Sequence, residues 1–185
     1  CSRFGYLLGL SEEYYSDIRK HTYHLTSDRY ESYLTGSPER RSRYRALFDA
    51  LTKSIPPEVT ISEPDGGIGF SYDDGKVISK DILRFQRVVT TLYDRGMMSA
   101  LSEDRLRRKA CVLEIGAGYG GLAHHLSRLI GGPTYIVVDL PETLLFSASY
   151  LSLLNPDKKV YLYDTSDFSD FISSEAVDAF DFILV

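Results

Sequence analysis

The feature that most constrains the fold is a glycine-rich turn, Glu114-Ile115-Gly116-Ala117-Gly118-Tyr119-Gly120-Gly121, between an apolar strand and an amphipathic helix. The strand is predicted over Cys111–Ile115, and the spacing of Leu122 and Leu126 indicates the helix that follows. Glycines at such a junction let the backbone turn tightly and approach a ligand without Cβ atoms in the way. The turn therefore predicts a strand–turn–helix unit with a ligand near the glycines.

The same alternation of strand and helix continues to the end of the sequence. Strands this hydrophobic, joined by helical crossovers, are typical of a parallel sheet that is covered on both faces. We therefore predict an α/β fold with a doubly wound, mostly parallel sheet. The predicted strands are Cys111–Ile115, Tyr135–Val138, Val160–Tyr163 and Phe180–Val185, and the predicted helices are Leu122–Ile130 and Pro141–Leu154.

The first hundred residues are predicted to be mainly helical. Ser37-Pro38 and Ser79 are helix starts, because serine caps a helix and proline suits its first position. Between these helices the sequence is rich in Gly, Pro and Asp, which indicates turns around a short hairpin of Val59–Ile61 and Gly69–Tyr72. This half of the chain is predicted to be an accessory or substrate-binding region.

The predicted boundary separates a helical region, residues 1–105, from a cofactor-binding core, residues 106–185. The fourth predicted strand runs to Val185, so we expect an incomplete sheet and a chain that is part of a longer protein. A fourth strand with an unpaired apolar edge would promote self-association. A homo-oligomer is therefore expected for this piece when it is expressed alone.

An acidic residue accompanies the glycine turn at a spacing that has chemical meaning. Asp139 stands at the end of the second predicted strand, 21 residues after Gly118, where an acid can accept hydrogen bonds from the hydroxyls of a ribose. Glu114 then distinguishes between S-adenosylmethionine and a nicotinamide dinucleotide as the possible cofactor. Its charge would be repelled and desolvated beside a pyrophosphate, at a cost of several kcal/mol, but would pair with an ammonium group. The pattern favours S-adenosylmethionine over a nicotinamide cofactor.

These residues also carry a resemblance to a known family. The segment from Val112 to Gly120 resembles the first motif of class I methyltransferases, and Val138-Asp139-Leu140-Pro141-Glu142 is similar to the acid-Leu-Pro turn of many O-methyltransferases. Together with Ile78–Phe85, the chain resembles the sugar O-methyltransferases of bacterial glycan and antibiotic clusters. The resemblance implies a Rossmann-like sheet, S-adenosylmethionine as cofactor, and a small-molecule or glycan acceptor that is methylated on a sugar hydroxyl.

The resemblance also implies roles for matching positions. The methionine end of the cofactor would lie at the glycine turn, the ribose at Asp139 and one face of the adenine at Leu140. Asp164 and Thr165 would lie near the adenine amino group, although Asp164 is equally well explained as a helix cap or turn residue. The implied cofactor-binding residues are Glu114, Gly116, Ala117, Gly118, Asp139, Leu140, Asp164 and Thr165.

The resemblance assigns no catalytic residue. A complete sheet of this class has further strands, and the base and acceptor pocket are expected after the fourth one. We therefore expect the 185-residue chain to be inactive by itself. Two alternatives stay open, a non-catalytic methyltransferase-like binding module and an NAD-dependent oxidoreductase.

The composition of the chain bears on its binding partners and on the cellular compartment in which it is expected. The formal net charge of -5 argues against a nucleic acid, because phosphate backbones need a basic face. No apolar stretch approaches the roughly 20 residues that cross a bilayer. Two cysteines, Cys1 and Cys111, cannot form a disulfide framework, so we expect a cytoplasmic protein in which Cys111 is a small core residue.

The remaining polar clusters have simpler interpretations than catalysis. The run of arginines at positions 40, 41, 43 and 45 is predicted to be a solvated helix face. His124 and His125 are predicted to be packing or surface residues, and the spacing of His21 and His24 alone does not make a metal site. The tyrosine-rich segment that includes Tyr30 and Tyr33 is predicted to pack in the core.

Overall fold

The computed structural model describes residues 17, 19–20, 28–104, 109–163 and 178–185. They fall into two compact units, one with the described residues up to Met97 and one with those from Met98 onward. No helix in these ranges is long and apolar enough to span a membrane. The helices are α1 Glu31–Leu34, α2 Pro38–Thr52, α3 Lys80–Asp94, α4 Met97–Asp104, α5 Gly121–Ile130 and α6 Pro141–Leu154; the strands are β1 Phe70–Ser71, β2 Val77–Ile78, β3 Cys111–Ile115, β4 Thr134–Val138, β5 Val160–Leu162 and β6 Phe182–Leu184.

Both helix starts predicted in the first unit are confirmed. The Ser37 hydroxyl accepts the Arg40 N–H at 3.3 Å ahead of α2, and the Ser79 hydroxyl accepts the Ile82 N–H at 3.0 Å ahead of α3. Each cap satisfies a backbone donor that has no partner within the helix. Helices α2 and α3 then pack against each other, and Phe48 is buried.

The hairpin of the first unit differs from the prediction. Strand β1 pairs in antiparallel fashion with β2, not with the segment around Val59, which lies in a 3-10 turn over Pro57–Val59. Pro56 and Pro57 have no backbone N–H and cannot donate to a strand ladder. The turn of the observed hairpin is closed by the Gly75 N–H, which donates to the Tyr72 carbonyl at 3.0 Å.

The second unit is built on a four-stranded parallel sheet, so the predicted α/β class is confirmed. Strand β3 pairs with β4 in a register that sets Glu114 opposite Val137 and Ile115 opposite Val138. Helix α5 contacts β4, and α6 contacts β5, β6 and α5. This arrangement is compatible with a Rossmann-like fold, and it brings the ends of β3 and β4 side by side.

The strand order corrects one sequence-based prediction. The order is β3-β4-β6-β5, so β6, the fourth strand of the alternating region, lies inside the sheet and its predicted unpaired edge is wrong. All three residues of β6 are buried, and a strand that is apolar on both faces is most stable with a neighbour on each side.

The order also differs from the commonest doubly wound order, in which the first strand lies between the second and the fourth. Among the strands that the structure describes, β3 lies at an edge of the sheet, and the connections that leave β3 and β4 run in the same direction along it. The strand order therefore does not reverse between β3 and β4. A ligand site at the carboxyl ends of β3 and β4 therefore does not lie at a point where the strand order reverses.

The edge position of β3 exposes one of its faces. Leu113 is 60% exposed and Ile115 is 78% exposed, and Cys111 on the same face is also exposed. The prediction that both faces of this strand are covered is therefore wrong, as is the prediction that Cys111 is a core residue. A hydrophobic strand pattern indicates a sheet, but it does not reveal which strand occupies the edge.

Candidate functional site

The glycine turn lies at the carboxyl ends of β3 and β4. The Gly116 N–H donates to the Val138 carbonyl at 2.8 Å, which joins the start of the turn to β4. Gly116 has φ 78° and Gly118 has φ 61°, a left-handed conformation that L side chains rarely adopt. A Cβ atom on either residue would meet no heavy atom within 4 Å. These two glycines therefore border open space that a ligand can enter.

Gly120 has a different role in the same turn. Its φ is 89°, and a Cβ atom there would lie 3.2 Å from the Leu151 Cγ and 3.2 Å from the Ser147 Cβ, both on α6. The absence of a side chain thus lets α6 pack closely against the turn. Tyr119 is buried and lies edge-to-face with Tyr150 of α6, with ring centroids 4.8 Å apart. The packing holds the turn in place from the protein side.

Ala117 lies between the two open glycines and is buried. Its carbonyl accepts the Gly120 N–H at 3.1 Å, which closes the turn at the start of α5. Ala117 therefore contributes to the shape of the turn, and any ligand contact would be through its backbone.

Glu114 is the most unusual group at the site. Its carboxylate accepts a hydrogen bond from the Tyr135 hydroxyl at 2.8 Å. Burial raises the pKa of Glu114, the charge of Asp139 raises it further, and the hydrogen bond from Tyr135 opposes both. Among the described residues, no cation forms an ion pair with Glu114. A partly buried carboxylate without a cation loses part of its hydration and gains no ion pair in return, so Glu114 is suited to pair with a positively charged ligand.

Asp139 connects the end of β4 to the glycine turn. Its Oδ2 accepts the Gly118 N–H at 2.9 Å, and its Oδ1 accepts the Leu140 N–H at 2.8 Å. Asp139 therefore has a structural function whether or not a ligand is present. Each carboxylate oxygen has a second lone pair, so the same side chain can also accept hydrogen bonds from ligand hydroxyls.

Leu140 follows Asp139 and is 68% exposed. It occupies the position before Pro141, the first residue of α6, so the backbone holds it at the edge of the site. A large apolar side chain in this place can cover one face of a flat ring. The structure thus places Glu114, the glycines, Asp139 and Leu140 along one edge of the sheet, whereas Asp164 and Thr165 lie outside the described residues.

Sequence reasoning missed Tyr135 as a member of the site. Residues opposite each other in parallel strands share a face, and Tyr135, which pairs with Val112, lies one step diagonally from Glu114 across β3 and β4. Burial raises the pKa of Tyr135, and the charge of Glu114 adds to this effect. A tyrosine in an otherwise apolar strand was the available signal, because a buried tyrosine hydroxyl usually finds a polar partner.

The histidines of α5 lie in the protein interior, as the packing interpretation predicts. His124 is 2% exposed with its Nδ1 3.2 Å from the Asn155 Oδ1, and burial lowers the pKa of His125 to about 4. His21 and His24 lie outside the described residues. Within the described part of the chain, no group of three His, Cys, Asp or Glu side chains could hold a metal ion.

The fold and the site thus define an α/β domain with a parallel sheet and a glycine-rich turn that borders open space. Comparison of the chain with protein-family models, with curated proteins and with solved structures finds no match. The chemistry of the glycine turn is therefore the main indication of function.

Proposed function

We propose that this chain binds S-adenosylmethionine at the glycine turn. We propose further that it is part of an O-methyltransferase that transfers the methyl group to a sugar hydroxyl. The observation that carries the proposal is Glu114. Its carboxylate is partly buried, it accepts a hydrogen bond from a tyrosine hydroxyl, and no cation among the described residues pairs with it. It also precedes the open space at Gly116 and Gly118. The α-ammonium group of a methionine moiety would supply the missing positive charge.

The other groups at the turn support the same cofactor. Asp139 has lone pairs available for two ribose hydroxyls, and Leu140 offers an exposed apolar surface for the adenine. The carboxylate of Glu114 would repel a pyrophosphate, which disfavours a nicotinamide dinucleotide. Asp164 and Thr165 belong to the proposal as residues near the adenine amino group.

Bound S-adenosylmethionine supplies an electrophilic sulfonium methyl group. The residues of this chain would bind and orient the cofactor, because the attacking oxygen must lie in line with the carbon–sulfur bond that breaks. The acceptor hydroxyl must also lose its proton to a base as the oxygen–carbon bond forms. No residue of the described ranges is assigned that role.

Titration calorimetry with three ligands tests the cofactor assignment. We expect S-adenosylmethionine and S-adenosylhomocysteine to bind and NAD to give no signal, because only the first two carry the ammonium group that Glu114 would pair with. Binding of NAD without binding of S-adenosylhomocysteine would refute the proposal. A methyl-transfer assay on sugars with different hydroxyl patterns then separates a catalyst from a module that binds the cofactor and transfers nothing.

A further inference from the structure

A second candidate site lies in the unit that ends at Met97. A groove of about 630 Å³ runs along α2 and α3, a size within the range of small-molecule pockets. Its lining includes three cationic side chains, those of Arg40, Arg43 and Lys80, and one acid, Glu39. Leu47 and Leu83 contribute apolar surface. The groove therefore combines positive charge with a hydrophobic wall.

The cations of the groove differ in how they are held. Arg40 is fixed, since its Nη2 lies 3.1 Å from the Asp28 Oδ1 and its guanidinium stacks on the Tyr44 ring at 5.3 Å. Arg43 and Lys80, by contrast, have no side-chain acceptor among the described residues. Asp28 offsets the charge of Arg40, so the positive charge available to a ligand comes mainly from Arg43 and Lys80.

The other arginines of the same run are engaged elsewhere. Arg45 pairs with Asp49 at 2.9 Å and with Asp74 at 2.7 Å, and Arg41 donates to the Ser71 carbonyl. The run is therefore not a uniformly solvated helix face, because its arginines differ in their contacts with the rest of the fold. Contacts within the fold account for three of the arginines, and Arg43 is the member that such contacts do not explain.

A simple helix-surface ion pair does not account for Arg43 either. Glu39 precedes it by four residues, a spacing at which Glu and Arg often pair on a helix. No ion pair joins Glu39 to Arg43 in the described ranges. Arg40 and Arg43 are also like charges three residues apart, which destabilises a helix slightly.

We propose that this groove binds a small phosphorylated molecule, with the phosphate between Arg43 and Lys80 and the carbon part against Leu47 and Leu83. A guanidinium fork and an ammonium group are the side chains best suited to a phosphate. Lys80 is the first residue of α3, and Arg40 lies in the first turn of α2. The positive ends of two helix dipoles therefore add to the attraction.

Titration calorimetry at low salt, with the full chain and without the methyl-transfer cofactor, tests this site. We expect glucose 1-phosphate to bind, inorganic phosphate to bind more weakly because it lacks the apolar contact, and glucose to give no signal. Arg43→Gln and Lys80→Gln should each weaken glucose 1-phosphate binding about 10-fold or more, because each removes a charge-assisted hydrogen bond. Glu39→Gln should strengthen it, because the groove loses its negative charge.

Lys53→Gln provides the matched control, because Lys53 is an exposed cation at the end of α2 that does not line the groove. This variant should bind like the wild type, and thermal unfolding should show that all four variants fold. The proposal is overturned if the wild type does not bind glucose 1-phosphate, or if Lys53→Gln weakens binding as much as Arg43→Gln. The cofactor titrations address the other unit, so either proposal can fail without the other.

Discussion

Glu114→Gln should have opposite effects on the stability of the unliganded protein and on its affinity for the cofactor. The substitution keeps the shape of the side chain and an oxygen that can accept the Tyr135 hydroxyl, but it removes the charge. In the unliganded fold, burial raises the pKa of Glu114, so the ionised form is destabilising at neutral pH. We therefore expect the variant to unfold at a higher temperature than the wild type at pH values above the raised pKa.

The sign of the pH dependence follows from the same shift. A carboxyl whose pKa is higher in the folded state than in the unfolded state contributes stability at low pH, and that contribution is lost as the pH rises through the folded value. The wild type should therefore approach the variant in stability as the pH falls. Tyr135→Phe removes the donor that favours the charged form, and it should raise the pKa of Glu114 further.

The effect on binding follows from the charge that Glu114→Gln removes. A hydrogen bond to a charged partner contributes about 1.5–3 kcal/mol, which corresponds to about a 10- to 150-fold loss in affinity for S-adenosylhomocysteine. The loss should be similar for S-adenosylmethionine, because both ligands carry the ammonium group. A much larger loss for S-adenosylmethionine would show that Glu114 faces the sulfonium instead.

Calorimetry and thermal unfolding of the same preparations provide the measurements. Glu142→Gln is the matched control, because Glu142 is an exposed acid in the first turn of α6. It should leave the affinity unchanged and lower the stability by at most about 1 kcal/mol, the usual effect of an acid near the positive end of a helix dipole. The reasoning fails if Glu114→Gln binds S-adenosylhomocysteine as tightly as the wild type. It also fails if the variant is less stable at neutral pH, since the carboxylate would then be part of the structural framework.

Other predictions use neighbouring features of the fold. Asp139→Ala should weaken S-adenosylhomocysteine binding by about 1.5–3 kcal/mol in calorimetry. If this variant binds with wild-type affinity, Asp139 has only a structural role, in its hydrogen bonds to the turn. Gly120→Ala should destabilise the protein by about 1–3 kcal/mol in urea unfolding, through its left-handed backbone and its crowding against α6; Gly118→Ala lacks the crowding and should cost less stability. Burial raises the pKa of Asp81 to about 6, so the wild type should gain stability relative to Asp81→Asn as the pH falls from about 7 to about 5, and parallel unfolding curves would contradict this.

Local signals in the sequence predicted the elements well. The caps at Ser37 and Ser79, the turn at Gly116 and the helix that begins at Pro141 depend on interactions within a few residues, and such interactions are visible in a linear pattern. The hydrogen bond between Glu114 and Tyr135 could not be predicted from such local patterns. Tyr135 lies on another strand, and the contact depends on the register between β3 and β4.

Long-range arrangement explains the failures. Strand order depends on the relative burial of whole strands, and β6 gains most from the interior because all three of its residues are apolar. The sequence of β3 looks equally hydrophobic, but β3 lies at one edge of the described sheet, and its Leu113 and Ile115 side chains are exposed. The hairpin prediction was wrong for a related reason, because the choice of partner for β1 is a long-range one. The observed partner is β2, and the segment around Val59 follows two prolines that cannot donate to a strand ladder.

The correction to the strand order does not weaken the inference about the cofactor. The proposed site requires the carboxyl ends of β3 and β4 to be neighbours, so that Glu114, the glycine turn and Asp139 lie along one edge. That adjacency is present in the observed order, and the bond between the Gly118 N–H and Asp139 ties the two ends together. A reversal of strand order opens a crevice between helices, but the glycines here border open space without one. The site thus depends on one pair of strands and on the Glu114 carboxylate, which has no cationic partner among the described residues. Substitution of Glu114 is therefore the most decisive test of the proposed function.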